Sequence, residues 1–251
     1  MDLDRYKRHI QLPEFGEEGQ RRVASSRVVV IGCGGLGGSV AMLLGRAGVG
    51  HMVLLDKDYP DRTNLHRQVL YDEEDVASRI PKALAAKRRL LAANPSIDVE
   101  AVVTEVGPSN VQGLIRGADL VIDGADSFEL RLLVNEACVR AGVPWVHGAV
   151  LGTYGVQWTV IPGQTACYAC LVGEAPLPGT YPMSDTVGVY APTVMAVASV
   201  QAAEALKVLS GNRHRIRPTL LSFDLWANTK AEVHVARLAA CPVCMNTRGG
   251  S

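Results

Sequence analysis

Apolar runs alternate with amphipathic stretches along the first 150 residues of the chain. The runs that predict buried strands are "SRVVVIG", "HMVLLD", "VEAVVTEV", "ADLVIDGAD" and "VPWVHGAV". The stretches that predict the helices between them are Gly35 to Arg46, Ile80 to Ala93 and about Glu129 to Ala141. Continuous apolar strands separated by helices are typical of a doubly wound, Rossmann-like, mostly parallel sheet. The pattern therefore predicts an α/β fold.

The pattern changes in the second half of the chain. "TYGVQWTVI" predicts one more strand, and Pro192 to about Leu209 predicts a long apolar helix. "LLSFDLW" and "KAEVHVARL" alternate apolar and polar residues on either side of Asn228 and Thr229. Such alternation predicts a C-terminal antiparallel hairpin with one solvated face.

Composition and charge limit the possible partners. The 251 residues (26.8 kDa) are 48% hydrophobic, which is enough for one large core. Basic and acidic residues number 25 each, and this balance argues against nucleic acid or an anionic membrane as partner. The charged start "MDLDRYKRHIQL" and the lack of an 18-residue apolar run predict a cytoplasmic protein with no membrane partner.

Four of the six cysteines form two C-x-x-C pairs, Cys167 with Cys170 and Cys241 with Cys244. Four thiolates suit a closed tetrahedral Zn²⁺ site, which would hold the C-terminal tail against the sheet. The alternatives are two unrelated pairs or a redox pair, although neither pair opens a helix after a strand as a thioredoxin motif does. Cys33 and Cys138 are interpreted as small buried hydrophobic residues.

"VVVIGCGGLGGSV" carries a strand into a glycine cluster and then into a helix. Gly32, Gly34 and Gly37 fit G-x-G-x-x-G, and Asp56 ends the next strand. Taken alone, this arrangement predicts a dinucleotide site.

The segment after Asp56 favours ATP instead. It contains two arginines, Arg62 and Arg67, which supply forked cationic donors, and two amides, Asn64 and Gln68, which supply neutral donors. Together these donors suit the negative charge of a triphosphate. Lys82 adds a mobile charge, and the Asp126 carboxylate could hold Mg²⁺. The alternative for each residue is a solvated charged loop.

The ordered motifs "RYKRHI", "GCGGLGG", "LLDKDYPDRTNLHRQ", "PKA", "DGADS", "CYAC", "GVYAP" and "CPVC" resemble those of the MoeB/ThiF/HesA family, and they cover nearly the whole chain. The resemblance implies one adenylation domain over 1–251, with a nucleotide-binding half (1–150) and a carrier-binding and zinc half (151–251). It implies that the protein adenylates the C-terminal Gly-Gly carboxylate of a ubiquitin-like sulfur carrier and releases pyrophosphate. Such carriers serve molybdopterin, thiamin or tRNA-thiolation pathways.

The resemblance also assigns roles to residues. It implies a homodimer, because Arg8 matches an arginine that reaches into the partner subunit's site. It implies catalytic roles for Arg8, Arg67, Lys82 and Asp126. The residues that it places on ATP and Mg²⁺ are Gly35, Asp56, Asn64, Arg67, Gln68, Lys82, Asp126 and Ser127.

The sequence departs from the family pattern in two places. The segment before Lys82 has Arg79 and Ile80 where the family commonly has a nearby glycine, and it is slightly longer. No cysteine lies between Cys170 and Cys241, and Ser184 stands where some family members carry a thiol. We therefore expect the carrier adenylate to be resolved by an external persulfide donor, because a serine without a partnered base is a poor nucleophile.

Three rival functions remain open from the sequence. A nicotinamide-dependent oxidoreductase would use the glycine loop and Asp56, but this function does not explain the cluster from Arg62 to Gln68 or the two C-x-x-C pairs. An enzyme of the same fold could adenylate a small molecule or a tRNA base. A non-catalytic scaffold is disfavoured, because each residue type that the nucleotide site needs is present.

Overall fold

The structure is a computed structural model that describes residues 2–177, 180–182 and 184–245. The helices are α1 (Lys7–Ile10), α2 (Gly16–Ser25), α3 (Gly35–Ala47), α4 (Glu73–Ala77), α5 (Lys82–Ala93), α6 (Val111–Leu114), α7 (Phe128–Ala141), α8 (Tyr168–Val172), α9 (Ser184–Val187) and α10 (Ala191–Leu209). The strands are β1 (Arg27–Ile31), β2 (His51–Leu55), β3 (Asp98–Val102), β4 (Leu120–Asp123), β5 (Trp145–Leu151), β6 (Tyr154–Val160), β7 (Leu220–Asp224) and β8 (Thr229–Val233). Short 3-10 turns lie at Asp4–Tyr6, Arg62–Asn64 and Arg213–Arg215.

The strands of both halves of the chain form a single sheet. Within the described residues it has eight strands in the order β3-β2-β1-β4-β5-β6-β7-β8. The first five of these are parallel, and β6, β7 and β8 add antiparallel strands. The chain reverses its direction of winding between β1 and β4, which creates a crevice at their carboxyl ends. The predicted doubly wound, mostly parallel sheet is confirmed.

Alternate residues of the central strand pack against different helical layers. Val28 and Val30 face a layer that contains α3, α5 and α10, whereas Val29 and Ile31 face α6, α7 and α8. The cysteines of both C-x-x-C pairs belong to the second layer. Both faces of the parallel strands are therefore covered, which explains why these strands appear in the sequence as continuous apolar runs.

Three glycines let the backbones of two loops touch beneath the crevice. A Cβ added to Gly37 would lie 1.9 Å from the carbonyl oxygen of Gly32, and one added to Gly32 would lie 2.4 Å from that of Gly124. Gly32 also has a φ of 83°, which side chains of L-residues rarely adopt. The loop after β1 and the loop after β4 consequently pack against each other without side chains between them.

This close packing predicts a difference between two neighbouring glycines. Gly37→Ala should lower the free energy of unfolding by about 3 kcal/mol, because the methyl group cannot fit without moving backbone. Gly34→Ala is the matched control: its Cβ would meet nothing closer than a Gln68 nitrogen at 3.8 Å, and its φ of −70° is ordinary. Urea unfolding of both variants measures the effect, and equal stability would contradict the packing described here.

Two predicted elements differ from the structure. The fifth helix begins at Lys82 and not at Ile80, because Arg79 has a φ of 49° and Pro81 is extended. The predicted one-sided solvation of the hairpin is wrong for β8, since all five of its residues are exposed while four of the five residues of β7 are buried. Among the residues that the structure describes, β8 is the edge strand of the sheet and no helical layer covers either of its faces.

The N-terminal segment forms α1 and α2. Cys33 and Cys138 are fully buried, as predicted. A helix that is both long enough and apolar enough to cross a membrane is not found in the part of the chain that the structure describes.

Candidate functional site

The glycine loop after β1 is held by Asp56 at the end of β2. The backbone N–H of Cys33 donates to Asp56 Oδ2 (2.7 Å), and that of Asp58 donates to Oδ1 (2.7 Å). Burial raises the pKa of Asp56, while these two N–H groups and the Lys82 charge oppose the rise. Asp56 thus already positions the loop, and its contact with a ribose remains a prediction.

Arg67 and Gln68 lie directly beside the glycine loop. The backbone N–H groups of both residues donate to the carbonyl oxygen of Asn64 (3.0 Å each), which turns the chain back toward α3. The Cβ position of Gly35 lies 3.7 Å from Arg67 Cγ, and that of Gly34 lies 3.8 Å from Gln68 Nε2. Gln68 is 6% exposed, and its Oε1 is buried with no hydrogen-bond partner among the described residues. A bound ligand could satisfy that oxygen.

Lys82 and Asp126 complete the charged groups around the loop. Lys82 is buried (7% exposed), and its Nζ lies 3.5 Å from Asp58 Oδ2, a carboxylate that the sequence analysis did not single out. Asp126 is exposed in the loop after β4. Its charge adds to the effect of Glu105, which raises the pKa of Lys57. The crevice therefore holds both cationic and carboxylate groups.

Two predicted site residues have other surroundings. Ser127 Oγ accepts the backbone N–H of Leu130 (3.3 Å), so it caps α7. Arg8 is exposed on α1 and lines an open groove of about 540 Å³ with Arg46 near the end of α3. Because a helix rises about 1.5 Å per residue, Arg46 lies roughly 16 Å from the start of α3 at Gly35. Within one chain, Arg8 does not join the other predicted residues.

A buried polar cluster that was not predicted from the sequence lies next to Asp126. His147 Nδ1 lies 2.5 Å from Asp123 Oδ2, and Arg131 Nε lies 3.4 Å from the same oxygen. His147 is fully buried, and burial lowers its pKa, so the neutral ring donates its Nδ1–H to Asp123. The signal in the sequence was a histidine inside the otherwise apolar strand "VPWVHGAV".

The two C-x-x-C pairs meet in space. All four sulfur atoms lie within 4.8 Å of one another, with Cys167 to Cys241 at 3.6 Å and Cys170 to Cys244 at 3.5 Å. A regular tetrahedron of sulfurs around Zn²⁺ at 2.3 Å has edges of about 3.8 Å. The predicted convergence of the pairs is confirmed, and the donor set fits a structural zinc ion.

The tail is fixed on this cluster by backbone contacts. Arg237 donates to the carbonyl oxygens of Gly163 (3.0 Å) and Cys244 (3.3 Å). Against the effect of burial, the N–H groups of Cys244 and Val243 lower the pKa of Cys241 to about 7. A thiol with this pKa is readily available as a thiolate.

Comparisons with known proteins identify relatives of this chain. The ThiF family matches residues 6–243. The sulfur carrier protein ThiS adenylyltransferase of Bacillus subtilis (strain 168) is 44% identical over 242 residues, which are 96% of this chain and 71% of that protein. The SAMP-activating enzyme E1 of Haloferax volcanii is 42% identical over 242 residues, which are 96% of this chain and 88% of that protein.

A solved structure has the same architecture. The crystal structure of E. coli MccB with ATP superposes with a TM-score of 0.82 at 27% sequence identity, and the match covers 97% of this chain and 75% of that one.

Proposed function

The chain belongs to the ThiF family, and from this membership we propose that it adenylates the C-terminal Gly-Gly carboxylate of a ubiquitin-like sulfur carrier protein. The names of the two relatives at 44% and 42% identity support the reaction and the class of substrate. The whole chain, 1–251, acts as one adenylation domain in this proposal.

The observation that carries the proposal is the convergence of charged side chains at the carboxyl ends of β1, β2 and β4. Arg67 and Gln68 lie beside Gly34 and Gly35. Lys82 is oriented by Asp58, and Asp126 stands on the loop that packs against the glycine loop. A nicotinamide-dependent oxidoreductase would leave these cationic groups without a role.

The residues fit ATP and Mg²⁺. Among the described residues the Gln68 side-chain oxygen has no partner, so it can bind a nucleotide. Gly34 and Gly35 have no side chains and leave space beside it. MccB, which has the same fold, was solved with ATP. In this proposal Asn64, Arg67, Gln68 and Lys82 would contact the triphosphate and Asp56 would contact the ribose. Asp126, with the neighbouring Ser127 that also caps α7, would lie on the metal side. The metal ion, when bound, neutralises phosphate charge.

The chain's own contribution to the reaction is positional. The carrier carboxylate is already a nucleophile, so the protein must align it with the α-phosphorus of ATP. Arg67 and Lys82 stabilise the negative charge that develops on the phosphates. Zn²⁺ held by Cys167, Cys170, Cys241 and Cys244 takes no part in this step, because four thiolates leave no position for a substrate.

Arg8 serves the site of a partner subunit in the proposed homodimer. Arg8→Ala and Asp126→Ala should each inactivate the enzyme, because each removes a charge from both sites of the dimer. A mixture of the two variants, refolded or co-expressed, should regain about a quarter of wild-type activity through heterodimers with one intact site. If the mixture stays as inactive as its components, Arg8 acts within its own chain or not at all.

We expect the sulfur to come from an external persulfide donor. Cys33 and Cys138 are fully buried, and the other four cysteines form the cluster. Enzyme, carrier and ATP, incubated without reductant and run on a denaturing gel, should therefore give no thiol-sensitive enzyme–carrier band. Such a band would show that one of the six cysteines is a catalytic nucleophile.

Carrier-dependent pyrophosphate exchange tests the proposed function. ATP labelled from pyrophosphate should appear with a ubiquitin-like carrier ending in Gly-Gly and not with the same carrier lacking its last glycine. Exchange driven equally well by a small carboxylic acid would favour the alternative of small-molecule adenylation, and exchange driven by tRNA would favour the tRNA alternative.

A further inference from the structure

The loop that carries Asp126 is held from beneath by the buried cluster of Asp123, Arg131 and His147. We propose that these three are positioning residues, which fix the peptide before Asp126 so that its carboxylate can hold Mg²⁺ beside ATP. This inference rests on the proposed function, because the metal enters through the adenylation reaction. None of the three belongs to the set that the family resemblance assigned.

Both polar groups of the Ala125 backbone are bound by the cluster. Its N–H donates to Asp123 Oδ1 (2.8 Å), and its carbonyl oxygen accepts from Arg131 Nη2 (2.7 Å). Ala125 is the residue directly before Asp126, so these bonds fix the orientation of the peptide from which the Asp126 side chain projects. Removing either partner leaves a buried backbone group unpaired.

The opposite side of the loop is fixed by backbone packing. The Gly124 N–H donates to the carbonyl oxygen of Ile31 (2.8 Å), and a Cβ at Gly124 would lie 2.4 Å from the Gly32 carbonyl oxygen. Gln201 of α10 donates from Nε2 to the carbonyl oxygen of Asp123 (3.0 Å). The segment from Asp123 to Ala125 is thus held against the glycine loop, and the exposed Asp126 side chain follows it.

The charges of the cluster are balanced within it. Asp123 is 1% exposed and has the Arg131 guanidinium and the neutral His147 ring as partners. Tyr168 of α8 packs on the His147 ring at 4.8 Å between centroids. Removing Asp123 or Arg131 leaves an uncompensated buried charge, and removing the neutral His147 takes a hydrogen-bond partner from Asp123, so each change alters the geometry of the remaining members.

The cluster also connects the loop to the four cysteines. Tyr168 lies between Cys167 and Cys170, and its N–H donates to Asn135 Oδ1 of α7 (2.8 Å). Arg131 projects from the same helix α7. The cysteine cluster therefore supports, through α8 and α7, the residues that hold the Asp126 loop.

Metal binding by the folded protein tests the proposal without relying on turnover. The probe is Mn²⁺, measured by electron paramagnetic resonance in the presence of a non-hydrolysable ATP analogue. Arg131→Gln should weaken Mn²⁺ binding about tenfold, as loss of a residue that supports a metal ligand does, while binding of the analogue without metal stays unchanged. Arg131→Lys should recover part of the loss. Arg140→Gln on the same helix is the matched control, since Arg140 is exposed and paired with Glu136.

The outcomes separate the positioning role from a structural one. A folded Arg131→Gln protein that binds Mn²⁺ like the wild type overturns the proposal, even if it melts at a lower temperature. If Arg131→Gln does not fold, Asp123→Asn, which keeps an acceptor for the Ala125 N–H but removes the carboxylate charge that holds Arg131, must weaken Mn²⁺ binding in the same direction. A wild-type protein without ATP-dependent Mn²⁺ binding would contradict the proposed function itself, and the positioning role with it.

Discussion

Replacing Asp126 by alanine is expected to leave the fold intact and to lower the adenylation rate at least about a hundredfold, as the loss of one preorganised charge at a reaction centre does. Asp126 is exposed, so its removal creates no cavity. Its backbone is held independently by Asp123 and Arg131 through Ala125. The loss should therefore appear in pyrophosphate exchange and not in thermal unfolding.

Glu129→Gln is the matched control for this variant. Glu129 is an exposed carboxylate in the first turn of α7, so its replacement removes the same charge from the same region. Exchange should remain near the wild-type rate in this control. If Asp126→Ala keeps its exchange activity, or if both variants lose the same fraction of it, Asp126 is not the carboxylate that binds Mg²⁺.

Replacing Cys244 by serine is expected to remove the bound zinc and to lower the melting temperature by roughly 10 °C or more. A structural zinc ion contributes its binding free energy to folding, and for a chain of this size each kcal/mol corresponds to about 2–4 °C. The cluster joins Cys241 and Cys244 of the tail to Cys167 and Cys170 in the second helical layer. Elemental analysis should find one zinc per wild-type chain.

Cys138→Ala is the control for the loss of a buried sulfur. Cys138 is fully buried on α7 and lies outside the group of four clustered cysteines. This variant should keep one zinc per chain and lose only the stability that belongs to a small cavity. Wild-type protein without zinc, with all four clustered thiols open to alkylation in the native state, would contradict the assignment.

The sheet and the glycine loop could be predicted because their signals are local. Val28 to Ile31 forms a continuous apolar run, and a strand that is buried on both faces has this composition. The C-x-x-C spacing is also a local signal, because two metal ligands stand only three residues apart. Cys167 and Cys170 could therefore be recognised as one pair from the sequence. Their meeting with Cys241 and Cys244 followed from the chemistry of a four-thiolate site.

The features that could not be predicted depend on contacts between distant parts of the chain. His147 and Asp123 are 24 residues apart, and their pairing depends on the neighbouring positions of β4 and β5 in the sheet. The hairpin's alternation predicted a buried face for β8, but that face exists only if another element covers it, and none does within the described residues. The start of α5 depends on the left-handed conformation of Arg79. This conformation is uncommon for residues other than glycine, so an arginine in the sequence does not predict it.

The mass of the carrier after incubation shows whether this protein transfers AMP to the carrier's C-terminal carboxylate. A ubiquitin-like carrier ending in Gly-Gly is mixed with the enzyme, ATP and Mg²⁺ without any sulfur donor, quenched in acid and measured by intact mass spectrometry. We expect a carrier heavier by one adenylyl group, with no such species for Asp126→Ala or for a carrier lacking its last glycine. The opposite result is an unchanged mass for every Gly-Gly carrier of the source organism, measured with enzyme that is folded and contains zinc. That result would contradict the proposed adenylation.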